Sequence, residues 1–96
     1  MDRRVKVSVI VVSLNTKNEL EKTLISIMSQ SIVDYELIVV DGESNDGTRV
    51  VINKYKNKID KQIIEKDNGI YDAMNKGIKI SSGKWIIFMN SGDLFY

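Results

Sequence analysis

The chain has 96 residues, enough for one small domain and no more. Its net charge of +1 argues against an electrostatic nucleic-acid binder, which usually carries a clear basic excess. The chain has no Cys and no His, which excludes disulfides, thiolate or imidazole metal ligands, and imidazole catalysis. Any metal must therefore be held by oxygen ligands, which favours Mg²⁺, Mn²⁺ or Ca²⁺.

The first segments predict a strand, a helix and a second strand. Val5 to Ser13 is almost continuously apolar and rich in β-branched residues, which is typical of a strand buried on both faces. Thr16-x-x-Glu19 has the spacing of a capping box and predicts the start of a helix. The next apolar side chains fall at helical spacing on one face: Leu20, Leu24, Ile27 and Met28. Tyr35 to Val40 predicts a second buried strand.

The remaining segments continue this alternation. After a turn rich in Gly, Asn and Asp we expect a helix from Thr48 to Lys58, then a short strand from Gln62 to Glu65. A third helix is predicted from Ile70 to Ser81, and the last buried strand from Trp85 to Met89. The third helix is expected to turn three side chains inward and to use a glycine as its C-cap: Tyr71, Met74 and Ile78, and Gly83.

The element order β-α-β-α-β-α-β, with short connections, predicts an α/β fold. We expect a Rossmann-like three-layer α/β/α sandwich with a mainly parallel sheet. Residues 1–96 contain no visible linker or internal repeat and are expected to form a single domain.

Polar side chains follow two of the predicted strands. Asp41 comes directly after the second strand, where an acid often binds a ribose or base, although Asp also caps turns and helices there. Asn90 and Asp93 follow the last strand, where Asn90 can hold a sugar or ribose and Asp93 a metal beside a diphosphate. The alternative for this second pair is a plain Ser-Gly turn. Neither common glycine-rich phosphate loop is present.

The predicted third helix carries a polar face. Asp72, Asn75 and Lys76 lie at i, i+3 and i+4 and therefore share one side of the helix. They are candidate contacts for a donor sugar or phosphate. The alternative is a solvated face on which Asp72 and Lys76 form a simple surface ion pair.

Four ordered segments resemble the N-terminal half of the family-2 glycosyltransferases of the GT-A fold. They cover almost the whole chain and lie at 7–15, 24–30, 35–48 and 83–93. The segment at 67–78, Asp-Asn-Gly-Ile-Tyr-Asp-Ala-Met-Asn-Lys-Gly-Ile, looks like a subgroup common in bacterial surface-polysaccharide synthesis. Members of the family transfer a sugar from a nucleotide-diphosphate donor to an acceptor hydroxyl.

The resemblance implies a set of donor-site residues. The donor nucleotide would be held by residues at the ends of the strands and in the loops: Ser13, Asn15, Asp41, Glu43, Asp67 and Asn90. Contacts with the donor sugar or phosphates would come from Asp72, Asn75 and Lys76, and Asp93 would bind Mn²⁺ or Mg²⁺. Such a cation stabilises the charge that builds on the departing nucleoside diphosphate.

The chain departs from the family pattern at two places. The family often has two adjacent acids after the second strand, the second of which contacts the base, whereas Gly42 stands there in this chain. The family's Asp-Ser-Asp-Asp appears here as Asn90-Ser-Gly-Asp93, so Gly92 occupies the place of the usual metal ligand. These changes leave open which side chain reads the base and how strongly a metal binds.

The family's catalytic base lies in a downstream, acceptor-binding half. We therefore expect residues 1–96 to be the donor-binding part of a longer enzyme and to show no transferase activity alone. The expected partners are a nucleotide-sugar donor and, through that other half, a glycan or lipid-linked acceptor. We expect a cytoplasmic location, at the inner face of the membrane for a lipid-linked acceptor, and self-association through an exposed sheet edge.

Three other interpretations are weighed against this one. A degenerate nucleotide-binding or protein-interaction module without catalysis is favoured by the loss of acids at Asn90 and Gly92. A sugar nucleotidyltransferase would need a basic, glycine-rich loop after the first strand, and Leu14-Asn-Thr-Lys17 does not supply it. A receiver domain would need paired acids after its first strand, where Ser13-Leu14-Asn15 has none.

Overall fold

The computed structural model describes residues 6–30 and 34–92. The elements alternate as predicted: β1 (Val7–Ser13), α1 (Lys17–Met28), β2 (Tyr35–Asp41), α2 (Thr48–Lys54), β3 (Lys61–Ile64), α3 (Ile70–Ile80) and β4 (Trp85–Asn90). The four strands form one parallel sheet in the order β3-β2-β1-β4. The predicted α/β fold with a parallel sheet is confirmed.

The two central strands, β1 and β2, divide the core into two layers. Their alternate side chains point to opposite faces of the sheet. Val9, Val11, Leu37 and Val39 belong to one apolar cluster, together with buried residues of α1 and α2. Ile10, Val12, Ile38 and Val40 belong to a second cluster with Ala73 of α3. The sheet is therefore covered on both faces, which explains the continuous apolar runs of β1 and β2.

Helix α3 packs through small residues instead of the predicted large ones. The prediction that Tyr71 and Ile78 point inward is wrong, because they are 77% and 41% exposed. The buried residues are Ala73 and Gly77, while Met74 packs partly against the second cluster. The helix lies so close to the sheet that a Cβ atom at Gly77 would be 2.6 Å from Ile10 Cγ2. That close approach requires a residue without a side chain.

Helix α1 begins at the predicted N-cap residue, Thr16, whereas the predicted C-cap of α3 is wrong and α2 is shorter than predicted. The Thr16 side chain, however, makes no capping hydrogen bond, so the predicted capping box is not formed. Helix α3 ends before an extended Ser81, and Gly83 instead lies where an added Cβ would be 2.6 Å from the backbone nitrogen of Ser8. Helix α2 ends at Lys54, because Tyr55 leaves the helical conformation with φ −105°.

Strand β4 was predicted to be buried and lies instead at the edge of the described sheet. Among residues 6–30 and 34–92 it pairs with β1 alone. Trp85 is 66% exposed, and Ile86, Ile87 and Phe88 are each more than one-third exposed, while Met89 is buried. The apolar run of β4 indicates a strand with two apolar faces. The composition of a strand does not show, however, whether other elements pack on those faces.

At the amino ends of the strands, a buried carboxylate joins several elements. Glu36 of β2 accepts hydrogen bonds from the Ser8 hydroxyl of β1 and the Ser82 backbone nitrogen. It also pairs with the Lys61 ammonium of β3 at 3.0 Å. This network anchors the link between α3 and β4, and thereby both elements that flank the site described below. In the described part of the chain, no helix has the length and apolar character needed to cross a bilayer.

Candidate nucleotide-binding site

The chain reverses direction across the sheet between β3 and β4. It first builds outward from β1 to β2 and β3, then crosses to place β4 on the other side of β1. In open α/β sheets, ligands bind outside the carboxyl ends of the strands at such a switch point. A cavity of about 250 Å³ lies there. Its lining residues are Val12, Ser13, Leu14, Thr16, Asp67, Gly69, Ile70, Ala73, Asn90 and Ser91.

The cavity is smaller than the roughly 300–1,000 Å³ typical of sites that enclose a whole small-molecule ligand. It therefore has room for part of a nucleotide sugar. Its walls combine apolar side chains from β1 and α3 with polar groups from the strand ends. The N-terminus of α3, an 11-residue helix, borders it through Gly69 and Ile70. The partial positive charge of a helix N-terminus favours an anionic ligand.

Thr16 and Ser91 connect the two sides of the switch point. The Thr16 hydroxyl donates to Ser91 Oγ at 2.6 Å, and Ser91 Oγ donates to the carbonyl oxygen of Val12 at 3.0 Å. Thr16 thus fastens the start of α1 to the end of β4 instead of capping its own helix. The contact between Thr16 and Ser91 was not predictable from the sequence, because the two residues are 75 positions apart.

Asp41 lies beneath the site and supports it. It is fully buried, and its carboxylate accepts hydrogen bonds from Ser13 Oγ at 2.7 Å, Ser44 Oγ at 2.6 Å and Ser44 N at 2.8 Å. These bonds hold the end of β1 and the loop after β2 in a fixed arrangement. Asp41 is not among the residues lining the cavity, and its direct contact with a base stays a prediction.

The loops after β1 and β2 are braced against each other. Asn15, with φ 51°, donates its backbone N–H to Ser44 Oγ at 2.8 Å and accepts from the Asn45 backbone at 2.9 Å. Asp46 accepts from the Lys17 and Thr48 backbone nitrogens. A hydrogen bond from the Thr48 hydroxyl is the main cause that lowers the Asp46 pKa. Asn15 thus holds the loops, while Glu43 is exposed with φ 70°.

Asp67 reaches the cavity from the loop after β3. One carboxylate oxygen accepts from the Gly69 backbone at 3.2 Å. The other, Oδ2, lies 2.9 Å from the point that a Cβ atom at Gly42 would occupy, and Leu14 Cδ1 lies 3.2 Å from the same point. The fold therefore brings Leu14, Gly42 and Asp67 together, although they are far apart in the sequence.

The polar face of α3 is engaged in ion pairs. Lys76 lies 3.4 Å from Asp72 and 3.2 Å from Glu65, and it donates to the Lys66 carbonyl oxygen. A hydrogen bond from the Asn68 backbone is the main cause that lowers the pKa of Asp72. The surface ion pair considered for Asp72 and Lys76 is therefore present. Neither residue lines the cavity, nor does the exposed Asn75, and their sugar or phosphate contacts stay predictions.

The described residues do not form a metal site. No group of three or more potential metal-binding acids occurs within residues 6–30 and 34–92. Asn90 lines the cavity, whereas Asp93, the predicted ligand, lies outside the described residues. The residues that the structure describes thus do not by themselves fit a divalent cation, and the role of Asp93 stays a prediction.

A parallel sheet with a cavity at its switch point and a helix N-terminus beside it is the arrangement in which many α/β domains bind nucleotides. The particular family follows from the sequence of the whole domain. Residues 8–96 match the model of glycosyl transferase family 2, and the chain belongs to this family.

Two curated relatives share this domain. A PGL/p-HBAD biosynthesis glycosyltransferase of Mycobacterium bovis is 36% identical over 93% of the chain. The poly(ribitol-phosphate) β-N-acetylglucosaminyltransferase TarP of Staphylococcus aureus is 36% identical over 95% of it. The chain spans 36% of the first relative and 29% of the second, about a third of their length.

A solved structure confirms the fold. Residues 1–349 of TarS from S. aureus, in complex with UDP-GlcNAc, superimpose with a TM-score of 0.83 at 29% identity. The match covers 94% of this chain and 27% of the TarS chain. The fold is thus the α/β fold of the GT-A glycosyltransferases.

Proposed function

We propose that this chain binds the nucleotide diphosphate of a sugar donor. It would serve a transferase that moves the sugar to an acceptor hydroxyl in bacterial polysaccharide or glycan synthesis. The observation that carries the proposal is the cavity at the switch point between β1 and β4 in a family-2 chain. The names of both relatives and the UDP-GlcNAc bound to TarS support it.

The reaction is a single displacement with inversion. The acceptor oxygen attacks the anomeric carbon while the bond from that carbon to the phosphate oxygen breaks, and a base removes the hydroxyl proton. The departing nucleoside diphosphate gains negative charge, which a cation held with Asp93 would stabilise. We assign no base among these residues and predict that the chain alone transfers no sugar.

The chain's own residues bind and orient the donor in this proposal. Apolar side chains of β1 and α3 receive the nucleoside, and Asn90 contacts the ribose or sugar. The N-terminus of α3 lies beside the path of the diphosphate and favours its charge. The braced loops that hold Ser13, Asn15 and Asp41 keep this arrangement in place.

Donor binding is tested by calorimetric titration with UDP, with and without Mn²⁺. Ile70 lines the cavity, is 44% exposed and begins α3, where an acid is tolerated. Ile70→Glu is expected to weaken UDP binding by about tenfold or more, because the new charge repels the diphosphate. The matched control, Val50→Glu, adds the same charge on α2 at a side chain that is 68% exposed.

Val50→Glu should leave the affinity within about twofold of the unchanged chain. Equal losses in both variants would contradict the site. We expect Mn²⁺ to strengthen UDP binding, and we expect this effect to disappear in Asp93→Ala. Both results together would support Asp93 as a metal ligand. A folded chain that binds neither UDP nor GDP would favour the alternative, a degenerate module that has lost its donor.

We also propose that the chain associates with itself through the edge of β4. Unpaired strand edges and exposed apolar patches promote such contacts. Ile86 and Phe88 expose 38% and 39% of their surfaces on neighbouring positions of one strand face. Ile86→Lys with Phe88→Lys is expected to weaken association by about tenfold or more in sedimentation equilibrium. Val50→Lys on α2 is the control, and a chain that stays monomeric at millimolar concentration would contradict the proposal.

A further inference from the structure

Asn68 and Gly69, in the loop before α3, form a sequence that favours loss of a side-chain amide. The backbone nitrogen that follows an asparagine can attack the carbonyl carbon of its side chain, and glycine hinders this attack least because it has no Cβ. Asn68 is exposed, and a Cβ atom at Gly69 would meet nothing within 4 Å. The space around this peptide bond is therefore open on the side from which the asparagine side chain approaches.

Three glycines of the chain directly follow an Asp or an Asn, and Asn68 differs from the other two acidic or amide residues in its contacts. Asp41 and Asp46, which precede Gly42 and Gly47, hold their carboxylates in hydrogen bonds. In the part of the chain that the structure describes, the Asn68 side-chain amide makes no hydrogen bond. Of the three side chains, that of Asn68 is thus the one free to turn towards the nitrogen that follows it.

We infer that Asn68 loses its side-chain amide spontaneously, by attack of the Gly69 nitrogen on Asn68 Cγ. A bond forms between that nitrogen and Cγ while the bond from Cγ to Nδ2 breaks, and the proton of the Gly69 N–H leaves with Nδ2 as ammonia. Asp67 Oδ1 accepts the Gly69 N–H at 3.2 Å and lies within reach to take this proton first. Water then opens the cyclic imide at either carbonyl and leaves an aspartate or an isoaspartate at position 68.

The product places a negative charge beside the cavity, and the consequence for the ligand rests on the proposed donor binding. Gly69 lines the cavity and directly precedes Ile70, the first residue of α3. A carboxylate at position 68 competes with a diphosphate for the positive end of that helix. The aged chain should therefore bind UDP about threefold or more weakly than the fresh chain.

The test is incubation of the chain at mildly alkaline pH and physiological temperature, followed by fragmentation mass spectrometry. A synthetic peptide with the sequence of residues 65–71 is incubated in parallel and sets the time of full conversion. The internal control is Asn57, which is exposed like Asn68 but precedes Lys58, whose side chain hinders the attack. Asn68 is expected to lose its amide about tenfold or more faster than Asn57. Enzymatic methylation of isoaspartate should label position 68.

Two variants separate the chemistry from its consequence. Asn68→Gln lengthens the side chain and disfavours the ring, so it should keep its mass and its UDP affinity during the same incubation. Asn57→Gln should age like the unchanged chain. An Asn68 that stays intact when the peptide is fully converted, or that reacts no faster than Asn57, would overturn the inference. Conversion of Asn68 in a chain that binds no UDP even when fresh would support the modification and contradict the proposed function.

Discussion

Replacing Asp41 with alanine is expected to lower the free energy of unfolding by about 3–4 kcal/mol. The carboxylate is fully buried and accepts from Ser13 Oγ, Ser44 Oγ and Ser44 N. Alanine leaves the buried donors without their acceptor, and each unsatisfied group costs about 1–3 kcal/mol. Urea unfolding followed by circular dichroism measures the change.

The same variant separates a supporting role from direct recognition. Because Asp41 fixes the loops around the cavity, Asp41→Ala should lower the affinities for UDP and for CDP by the same factor. Glu43→Ala is the stability control, since Glu43 is exposed, and it should shift stability by less than about 0.5 kcal/mol. A chain of unchanged stability after Asp41→Ala would contradict the supporting role.

Replacing Glu36 with alanine should cost about 3 kcal/mol of stability. The variant leaves the Lys61 ammonium without its buried partner and removes the acceptor of the Ser8 hydroxyl and Ser82 backbone. The expected cost lies at the lower end of the range for breaking a buried ion pair, because the Lys61 side chain is 35% exposed. Glu21→Ala, which removes the partly exposed partner of the exposed Lys54, is the control and should cost much less.

The stability that Glu36 contributes depends on pH. Burial raises the pKa of Glu36, but the hydrogen bonds from Ser8, Ser82 and Lys61 outweigh it and leave the pKa lowered. The contribution is therefore present above the ordinary glutamate pKa of about 4.3 and is lost as the pH falls through the folded-state value. The stability difference between the unchanged chain and Glu36→Gln should shrink on acidification below that range. A difference that grows on acidification would contradict this.

The element order and both central strands were predictable from the sequence. The apolar runs of β1 and β2 report burial on both faces, because consecutive residues in the middle of each strand, which point to opposite faces, are all apolar. The position of β4 was not predictable in this way. Its run from Trp85 is as apolar as the others, but an edge position depends on neighbouring strands and not on the strand's own composition.

The site was only partly predictable, because its main contacts are nonlocal. Position after β2 pointed to Asp41, yet only the fold reveals that Ser13 and Ser44 occupy its oxygens. The pairing of Gly42 with Asp67 likewise requires β2 and the loop after β3 to be adjacent. The face of α3 was misjudged because helical spacing marks large apolar residues, whereas close packing on Ile10 selects Gly77.

The most direct test of donor binding is a titration of the ¹⁵N-labelled chain with UDP, followed by amide chemical shifts. We expect the largest changes to cluster at the cavity, at Leu14, Gly69 and Ser91. The chemical shifts of amides at the amino ends of the strands, such as that of Ser82, should change little, because these amides lie at the end of the sheet away from the cavity. Changes that cluster at the amino ends of the strands, or no changes at millimolar UDP, would contradict a nucleotide site at the switch point.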